Sequence, residues 1–195
     1  MAKGTDAQKL EVPSAESIAA AAQEVTKGGM PPVETWNPPF CGDLDMRIAR
    51  DGTWFYLGTP IGRAGLVKLF SSIIRRDGDD YFLVTPVEKV GITVDDAPFV
   101  ALDFDATGTG EDQNLRFETH VGDRFIAGPE HPIRVAYDEG GEPSPYVLVR
   151  RNLEALIDRK SFYRLVDLGV HRDGWFGVWS AGAFFAIIRS EALEA

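Results

Sequence analysis

The chain has almost none of the residues that build disulfides, cysteine-based metal clusters or membrane spans. Cys41 is the single cysteine among 195 residues, so neither an intramolecular disulfide nor a cysteine zinc cluster can form. No segment approaches the roughly 20 apolar residues that a transmembrane helix needs, and residues 1–10 carry no apolar run typical of a signal peptide. We therefore expect a cytoplasmic protein without a membrane span.

Positive charge is scarce in one long stretch. Between Asp77 and Asp112 ten acidic residues face a single base, Lys89, and this stretch carries almost all of the net charge of −10. An acidic chain without a basic patch repels the phosphate backbone of nucleic acids. We therefore do not expect DNA or RNA as a partner.

Catalytic and metal-binding signatures are also missing. The three histidines share no metal-ligand spacing, and we expect neither a metal nor another cofactor. Ser180 lacks the Gly-x-Ser-x-Gly context of a nucleophile elbow and is better explained as part of a tight turn. Acid–base catalysis by the pairs Asp95-Asp96 and Asp103/Asp105 stays open, although acids that flank strands are usually solvated.

The first half of the chain begins with an arm and continues into a small α+β pattern. Ser14 to Lys27 predicts an alanine-rich helix with a weak apolar face, typical of a loosely docked arm. Alternating apolar residues around Met46 predict a strand, the turn at Asp51-Gly52 leads into a return strand, and apolar residues at helical spacing from Arg63 to Ile74 predict a helix. Further strands follow to Phe104.

The second half shows the same order of elements. Strands are predicted before a turn at 139–145, and a helix is predicted from Asn152 onward because Leu153, Leu156 and Ile157 have helical spacing. Two strands then close the fold. An offset of 87 residues places Arg63 on Arg150, which suggests a duplication with an arginine at a helix N-terminus in each half.

The turn from Gly58 to Arg63 is the most informative stretch for function. It opens a helix, as phosphate-binding loops do, but its glycine spacing fits neither a Walker loop nor a dinucleotide fingerprint. It is explained either as a rigid turn that lets the helix pack closely, or as part of a ligand site. For the second case we hypothesise a cleft between the repeats that binds a small anionic or nucleotide-like ligand.

Several short motifs resemble the bacterial family called domain of unknown function 1285. They include Trp36-Asn37-Pro38, Asp51-Gly52-Thr53-Trp54-Phe55-Tyr56, Gly58-Thr59-Pro60-Ile61 with Arg63, Thr85-Pro86-Val87-Glu88-Lys89, Pro145-Tyr146-Val147 with Arg150, and Trp179-Ser180-Ala181-Gly182. The resemblance implies a duplicated α+β architecture whose C-terminal half is superficially like a pleckstrin-homology fold. It also implies a site for a nucleotide-based ligand at the domain interface, and a role in signalling.

The resulting prediction is an α+β protein of two tightly packed, related repeats, each with the order strand-strand-helix-strands. We expect an arm over residues 1–33, an N-terminal domain over 34–106 and a β-rich C-terminal domain, a roll or barrel, over 107–195. The expected function is small-ligand binding without catalysis. The alternatives are a hydrolase that uses cleft carboxylates and a protein-interaction module. The predicted ligand-binding residues are Thr59, Arg63, Thr85, Glu88, Arg150 and Trp179.

Overall fold

The structure is a computed structural model that describes residues 12–193. These residues form two compact units, one made of residues 12–47 and Trp54–Thr93, the other of Ile48–Thr53 and 94–193. We call them the N-unit and the C-unit. The division falls between Thr93 and Val94, so the strand that starts at Phe99 belongs to the C-unit, whereas the predicted boundary after residue 106 places it in the first domain.

The N-unit contains two helices and six strands. The strands form one sheet in the order β3-β2-β1-β6-β5-β4. In chain order the elements are α1 (Ala15–Thr26), β1 (Phe40–Ile48), β2 (Trp54–Tyr56), β3 (Thr59–Pro60), α2 (Ala64–Ser72), β4 (Ile74–Asp77), β5 (Asp80–Val84) and β6 (Lys89–Val94).

The C-unit contains one helix, a six-stranded sheet in the order β10-β11-β12-β7-β8-β9, and a three-stranded antiparallel sheet β13-β14-β15. In the larger sheet β12 and β7 are parallel, and the other neighbours are antiparallel. The elements are β7 (Phe99–Thr107), β8 (Asn114–Thr119), β9 (Arg124–Ile126), β10 (Ile133–Tyr137), β11 (Pro143–Arg150), β12 (Leu153–Ile157), α3 (Arg159–Asp167), β13 (Val170–Arg172), β14 (Trp175–Ser180) and β15 (Ala183–Arg189).

Each unit has its own apolar core. In the N-unit Trp54 of β2 is 1% exposed and stacks on Phe70 of α2, with ring centroids 6.1 Å apart. In the C-unit Phe117 is fully buried against Phe104, with centroids 5.3 Å apart. Burying one such aromatic side chain contributes about 1.5–3 kcal/mol to folding. These contacts fix α2 on its sheet and hold β7 against β8.

The mixed α+β class and the duplicated arrangement are confirmed, but the 87-residue register is wrong. The residues from Leu153 to Ile157 form a strand whose alternate residues are buried, and the helix begins at Arg159. The first residues of α2 and α3, Ala64 and Arg159, lie 95 residues apart, and each helix is followed by three strands of similar length. Arg150 therefore ends a strand, and it does not begin a helix.

The predicted helix after Arg63 is also too long. It ends at Ser72, and Ile74, Arg75 and Arg76 belong to β4, which pairs with β5. By contrast, the predicted N-terminal helix is confirmed as α1, with the Ser14 side chain accepting a hydrogen bond from the amide of Ser17 at 3.2 Å. The predictions that concern residues 1–10 lie outside the described residues.

Candidate functional site

The N-unit contains a cavity of about 760 Å³ beside the predicted turn. We call it the α1–α2 cavity, because both helices and the turn that opens α2 line it. Its volume lies within the range of about 300–1,000 Å³ found for small-molecule sites. The lining residues are Ala15, Glu16, Ala19, Ala20, Gln23, Tyr56, Pro60, Ile61, Gly62, Arg63, Gly65, Leu66, Leu69 and Phe70.

A tight hairpin between β2 and β3 shapes the turn that forms one wall of the α1–α2 cavity. β2 and β3 pair through Tyr56 and Thr59, so the chain reverses over two residues, Leu57 and Gly58, which both have positive φ. Such two-residue turns match the twist of paired strands. The amide of Ile61 then donates to the carbonyl of Trp54 at 2.8 Å. The turn is thereby held to β2 as it enters α2.

The floor of the cavity is apolar and firmly packed. Phe70 is fully buried, and Leu66 and Leu69 lie on the same helix with half-buried side chains. Because Phe70 stacks on the buried ring of Trp54, the floor rests directly on the core of the N-unit. A rigid apolar floor of this kind favours the burial of an apolar part of a ligand.

The opposite wall is α1, which docks through small side chains. Ala15, Ile18, Ala19 and Ala22 are its buried residues. The amide of Ala15 lies 3.5 Å from the hydroxyl oxygen of Tyr56, which is a long hydrogen bond. The helix therefore encloses the cavity with few polar contacts, while its Ile18 and Ala22 side chains are fully buried.

Arg63 supplies the positive charge of the cavity. It occupies the N-cap position of α2, and its side chain makes no capping hydrogen bond. Among the residues that the structure describes, its guanidinium has neither an ion pair nor a hydrogen bond. The first amides of a helix carry a partial positive charge and lack partners within the helix. An anion at this place could therefore contact both the guanidinium and the helix end.

One acidic residue shares the cavity. Glu16 lies in the first turn of α1 and is exposed. It forms no ion pair with Arg63 within 4.0 Å in the described part of the chain. The described lining residues thus provide one cation and one carboxylate around a mainly apolar interior, which limits the negative charge that a ligand can carry here.

The other predicted residues of the N-unit lie outside the lining. Thr59 is exposed in β3. Thr85 is fully buried, and its Oγ1 accepts hydrogen bonds from the amides of Val87 at 3.4 Å and Glu88 at 3.1 Å. It therefore shapes the turn between β5 and β6. Glu88 is half-buried in that turn.

The two predicted residues of the C-unit are held by partners of their own. Arg150 donates from Nη1 to Asp123 at 2.6 Å and lies over the ring of Phe99, 4.6 Å from its centroid. Arg150 is therefore held in an ion pair within the C-unit. Trp179 lies on β14 under the guanidinium of Arg172 at 4.4 Å.

The candidate catalytic acids are bound to cations or hydroxyl groups. Asp96 accepts a hydrogen bond from the Tyr146 hydroxyl at 2.6 Å and lies 3.3 Å from Nε of Arg50. The amide of Phe104 and then the guanidinium of Arg164 hold the pKa of Asp103 below its usual range. A carboxyl group with a lowered pKa is a poor general acid. These contacts favour structural roles.

The histidines and Ser180 are likewise engaged in structure. His120 Nδ1 accepts from the Val100 amide at 3.1 Å, and burial lowers the pKa of His120. The Ser180 hydroxyl donates to the Ala127 carbonyl at 2.6 Å and accepts from the Leu115 amide at 2.9 Å. Within residues 12–193 no group of three or more potential metal-ligating side chains occurs. No helix in that range is long and apolar enough to cross a membrane.

A smaller cavity of about 250 Å³ lies beside the start of α3 in the C-unit. Arg159 and Tyr163 line it and bond to each other, with 2.9 Å between Nε and the hydroxyl oxygen. Here the helix start is already capped, because the Asp158 carboxylate accepts from the amide of Ser161 at 2.8 Å. This cavity is smaller, and its helix end is satisfied by the chain itself.

Sequence reasoning found Arg63 and the turn, but it missed the residues that enclose them. Tyr56, Leu66 and Phe70 were interpreted as parts of a strand or a helix core, and Glu16 and Gln23 as parts of a free arm. A carbon added at Gly62 or Gly65 would meet no atom within 4 Å, so the explanation that these glycines let the helix pack closely is wrong. They border open space, as residues at the edge of a cavity do.

Comparisons with known proteins place this architecture in one family. The N-terminal domain model of domain of unknown function 1285 matches residues 31–97, and the C-terminal domain model of that protein family matches residues 98–187. No curated protein matches the chain.

Two solved structures are similar to the chain. A DUF1285 family protein from Silicibacter pomeroyi DSS-3 is 61% identical over 91% of this chain and 98% of its own, with a TM-score of 0.85. A DUF1285 family protein from Shewanella baltica OS155 is 31% identical over 64% of this chain and 91% of its own, with a TM-score of 0.51. With both domain models matched in order and a relative of this identity covering nearly all of it, the chain belongs to the DUF1285 family.

Proposed function

We propose that the protein binds a small anionic ligand in the α1–α2 cavity, with Arg63 as the partner of the anionic group. The observation that carries the proposal is an arginine without a partner among the described residues at the lining of a cavity of about 760 Å³. A cation of this kind gains charge-assisted hydrogen bonds when an anion arrives, and these are roughly twice as strong as neutral ones.

The chemistry of the lining supports binding more than catalysis. Within residues 12–193 the lining holds no histidine, cysteine or serine, and Glu16 is its one carboxylate. A binding protein without a reaction of its own agrees with this set, because acid–base or nucleophilic catalysis needs a positioned pair of such groups. We therefore propose a ligand sensor or carrier, with a place in signalling and in the cytoplasm as parts of the same hypothesis.

The wider predicted site stays a prediction. Arg150 was assigned to it on the argument that Arg63 and Arg150 begin equivalent helices, and that argument no longer applies, because Arg150 ends β11. The likeness of the C-terminal half to a pleckstrin-homology fold also stays a proposal. A six-stranded sheet, a three-stranded sheet and one helix support it, and superposition on a solved pleckstrin-homology domain would test it.

A thermal-shift screen tests the proposed function. The purified protein is screened against carboxylates, phosphates and nucleotides, and a bound ligand is expected to raise the melting temperature in proportion to its concentration above Kd. Arg63→Ala is expected to lose most of this shift. Lys68→Ala is the matched control, because Lys68 is an exposed cation of the same helix outside the lining. A library without any stabilising anion, or equal shifts in all three proteins, would contradict the proposal.

A further inference from the structure

The lining of the α1–α2 cavity also indicates the class of its ligand. We infer that the ligand is an amphipathic carboxylate, a molecule with one anionic group on an apolar body, and this inference rests on the proposed function. The interior is built mainly from aliphatic and aromatic side chains, among them Ile61, Leu66, Leu69 and Phe70. A ligand that fills such a space must be largely apolar, since unpaired polar groups lose hydrogen bonds with water when they are buried.

The charges of the lining set the number of anionic groups. Among the lining residues that the structure describes, Arg63 is the one cation and Glu16 is the one carboxylate. A nucleoside triphosphate carries several negative charges, which one arginine cannot balance and which Glu16 would repel. The net charge of −10 adds to this repulsion at long range. A single carboxylate matches the single cation.

The position of Arg63 explains how a carboxylate would be oriented. A guanidinium donates two parallel hydrogen bonds to a carboxylate, and Arg63 stands where the uncapped end of α2 begins. Gly62 and Gly65 line the cavity on either side of it and have no side chains to block the approach. The carboxylate would therefore lie at the helix start while the apolar body extends over Leu66, Leu69 and Phe70.

Tyr56 and Gln23 give the cavity limited polar capacity beyond the carboxylate. The Tyr56 hydroxyl is in long contact with the Ala15 amide and keeps its own hydrogen for donation. Gln23 is an exposed side chain of α1. These groups can accommodate one or two polar substituents on the ligand, and they do not change its amphipathic class.

Isothermal titration calorimetry with matched probes tests the ligand class. The full-length protein is titrated with octanoate and phenylbutyrate, with the alcohols octanol and phenylbutanol as neutral partners, and with ATP as the polyphosphate. We expect the acids to bind more tightly than their alcohols by about tenfold, as one charge-assisted contact provides. Comparing octanoate with phenylbutyrate shows whether the apolar body of the ligand is aliphatic or aromatic.

Variants of Arg63 and Leu69 separate the polar and apolar halves of the site. Arg63→Ala should remove the advantage of the acid over the alcohol and leave the affinity for the alcohol unchanged, whereas Arg63→Lys should retain part of it. Leu69→Gln should weaken acids and alcohols alike. Lys68→Ala should change neither, and circular dichroism should show that every variant is folded.

The outcomes distinguish the two proposals. Equal affinity for acid and alcohol would overturn the ligand class, and the proposed function would then stand only if an anion of the thermal-shift library is bound through Arg63. Tighter binding of ATP, with loss of that binding in Arg63→Ala, would overturn the ligand class and leave the proposed function standing. If none of the probes binds and no anion in the thermal-shift library stabilises the protein, both proposals are wrong.

Discussion

The helices α2 and α3 occupy equivalent positions in the two units, but they differ in how the backbone amides at their N-termini are capped. In the N-unit α2 starts after Arg63, whose side chain makes no capping bond. In the C-unit α3 starts after Asp158, whose carboxylate accepts from the amide of Ser161 at 2.8 Å. Both helices span nine residues and lead into three strands.

The difference shows that the two copies of one duplicated framework use opposite charges at equivalent helix starts. A carboxylate at the N-cap provides the negative charge that a helix start favours. The C-unit supplies this carboxylate from its own sequence. The N-unit has a cation there instead, beside the cavity of about 760 Å³, and under the proposed function the ligand supplies the negative charge.

The largest expected effect tests whether α2 and α3 are equivalent in packing. Phe70 and Leu165 lie 95 residues apart and are 0% and 1% exposed. Phe70→Ala should lower the free energy of unfolding by about 3–5 kcal/mol and Leu165→Ala by about 2–5 kcal/mol, because each leaves a cavity in a core. Urea denaturation followed by circular dichroism measures both, with exposed Lys68→Ala and Lys160→Ala as controls. A loss below about 1 kcal/mol for either core variant would break the equivalence.

A smaller effect is expected at the hairpin turns that follow each helix. Gly78 between β4 and β5 has φ +63°, and Gly174 between β13 and β14 has φ +80°. Alanine at a positive φ costs roughly 1–2 kcal/mol. Gly78→Ala and Gly174→Ala should therefore destabilise the protein to a similar extent in the same denaturation assay. Gly28→Ala is the control, since its φ is not positive and no atom lies within 4 Å of the added carbon.

Exchanging the helix starts sharpens the comparison directly. Asp158→Ala should cost about 1 kcal/mol, because an amide of α3 loses its cap. Arg63→Asp, which gives α2 the residue type that α3 uses, should stabilise the protein by about 0.5–1 kcal/mol and at the same time abolish binding of the anionic ligand. Thermal denaturation and calorimetry measure the two effects. An Arg63→Asp protein that binds carboxylates normally would show that the two helix starts differ for another reason.

The smallest expected effect is a dependence on pH that is confined to the C-unit. All three histidines belong to the C-unit, and burial lowers the pKa of His120, opposed by the Val100 amide contact and the charges of Asp123 and Asp51. The neutral ring is required because its Nδ1 accepts a hydrogen bond from Val100. As the pH falls, His120 therefore takes up a proton in the unfolded chain before it does so in the folded protein.

The sign of this effect follows from that order of protonation. The stability that neutral His120 contributes is complete above about pH 6.5, the usual pKa of histidine, and is lost as the pH falls from there towards the lowered pKa of the folded state. The effect is small because the ring is only partly buried. Unfolding free energies between about pH 5 and 7.5 should show it, and His120→Asn, which keeps an acceptor, should remove it. An unchanged slope in the variant would exclude His120 as the cause.

Strands with clear alternation of apolar and polar residues could be predicted from the sequence. Where apolar residues are adjacent, a strand was wrongly predicted as a helix. Met46 and its alternating neighbours form β1 as predicted. Leu153, Leu156 and Ile157 have helical spacing, but the buried Ala155 completes a two-residue period, and the segment is β12. Alanine is compatible with a helix or a strand, so Ala155 did not indicate that this segment is a strand.

The start of α3 had a local signal that outweighed this spacing. Asp158 followed three residues later by Ser161 is a plausible cap before a helix, and the structure uses it. Because the 87-residue register was anchored on Leu153 and Leu156 as helix residues, it paired Arg63 with a strand residue. The duplication itself was still predicted, since the order of elements does not depend on the register.

The site was predicted in part for a similar reason. An arginine in a turn that opens a helix can be recognised in a sequence, and Arg63 does line the cavity. The opposite wall depends on where α1 docks, and its alanine face carries too little apolar surface to specify a partner. Such tertiary contacts have no local sequence pattern.

The stacking of Trp54 on Phe70 has an optical consequence. The ring of Trp54 is 1% exposed and contacts a residue that lines the α1–α2 cavity, while Trp175 and Trp179 of the C-unit lie under the guanidinium groups of Arg189 and Arg172. The environment of an indole ring determines the wavelength and intensity of its emission. Replacing Trp36, Trp175 and Trp179 by phenylalanine would leave Trp54 as the one indole, and its emission would then report on changes at the cavity without an added label.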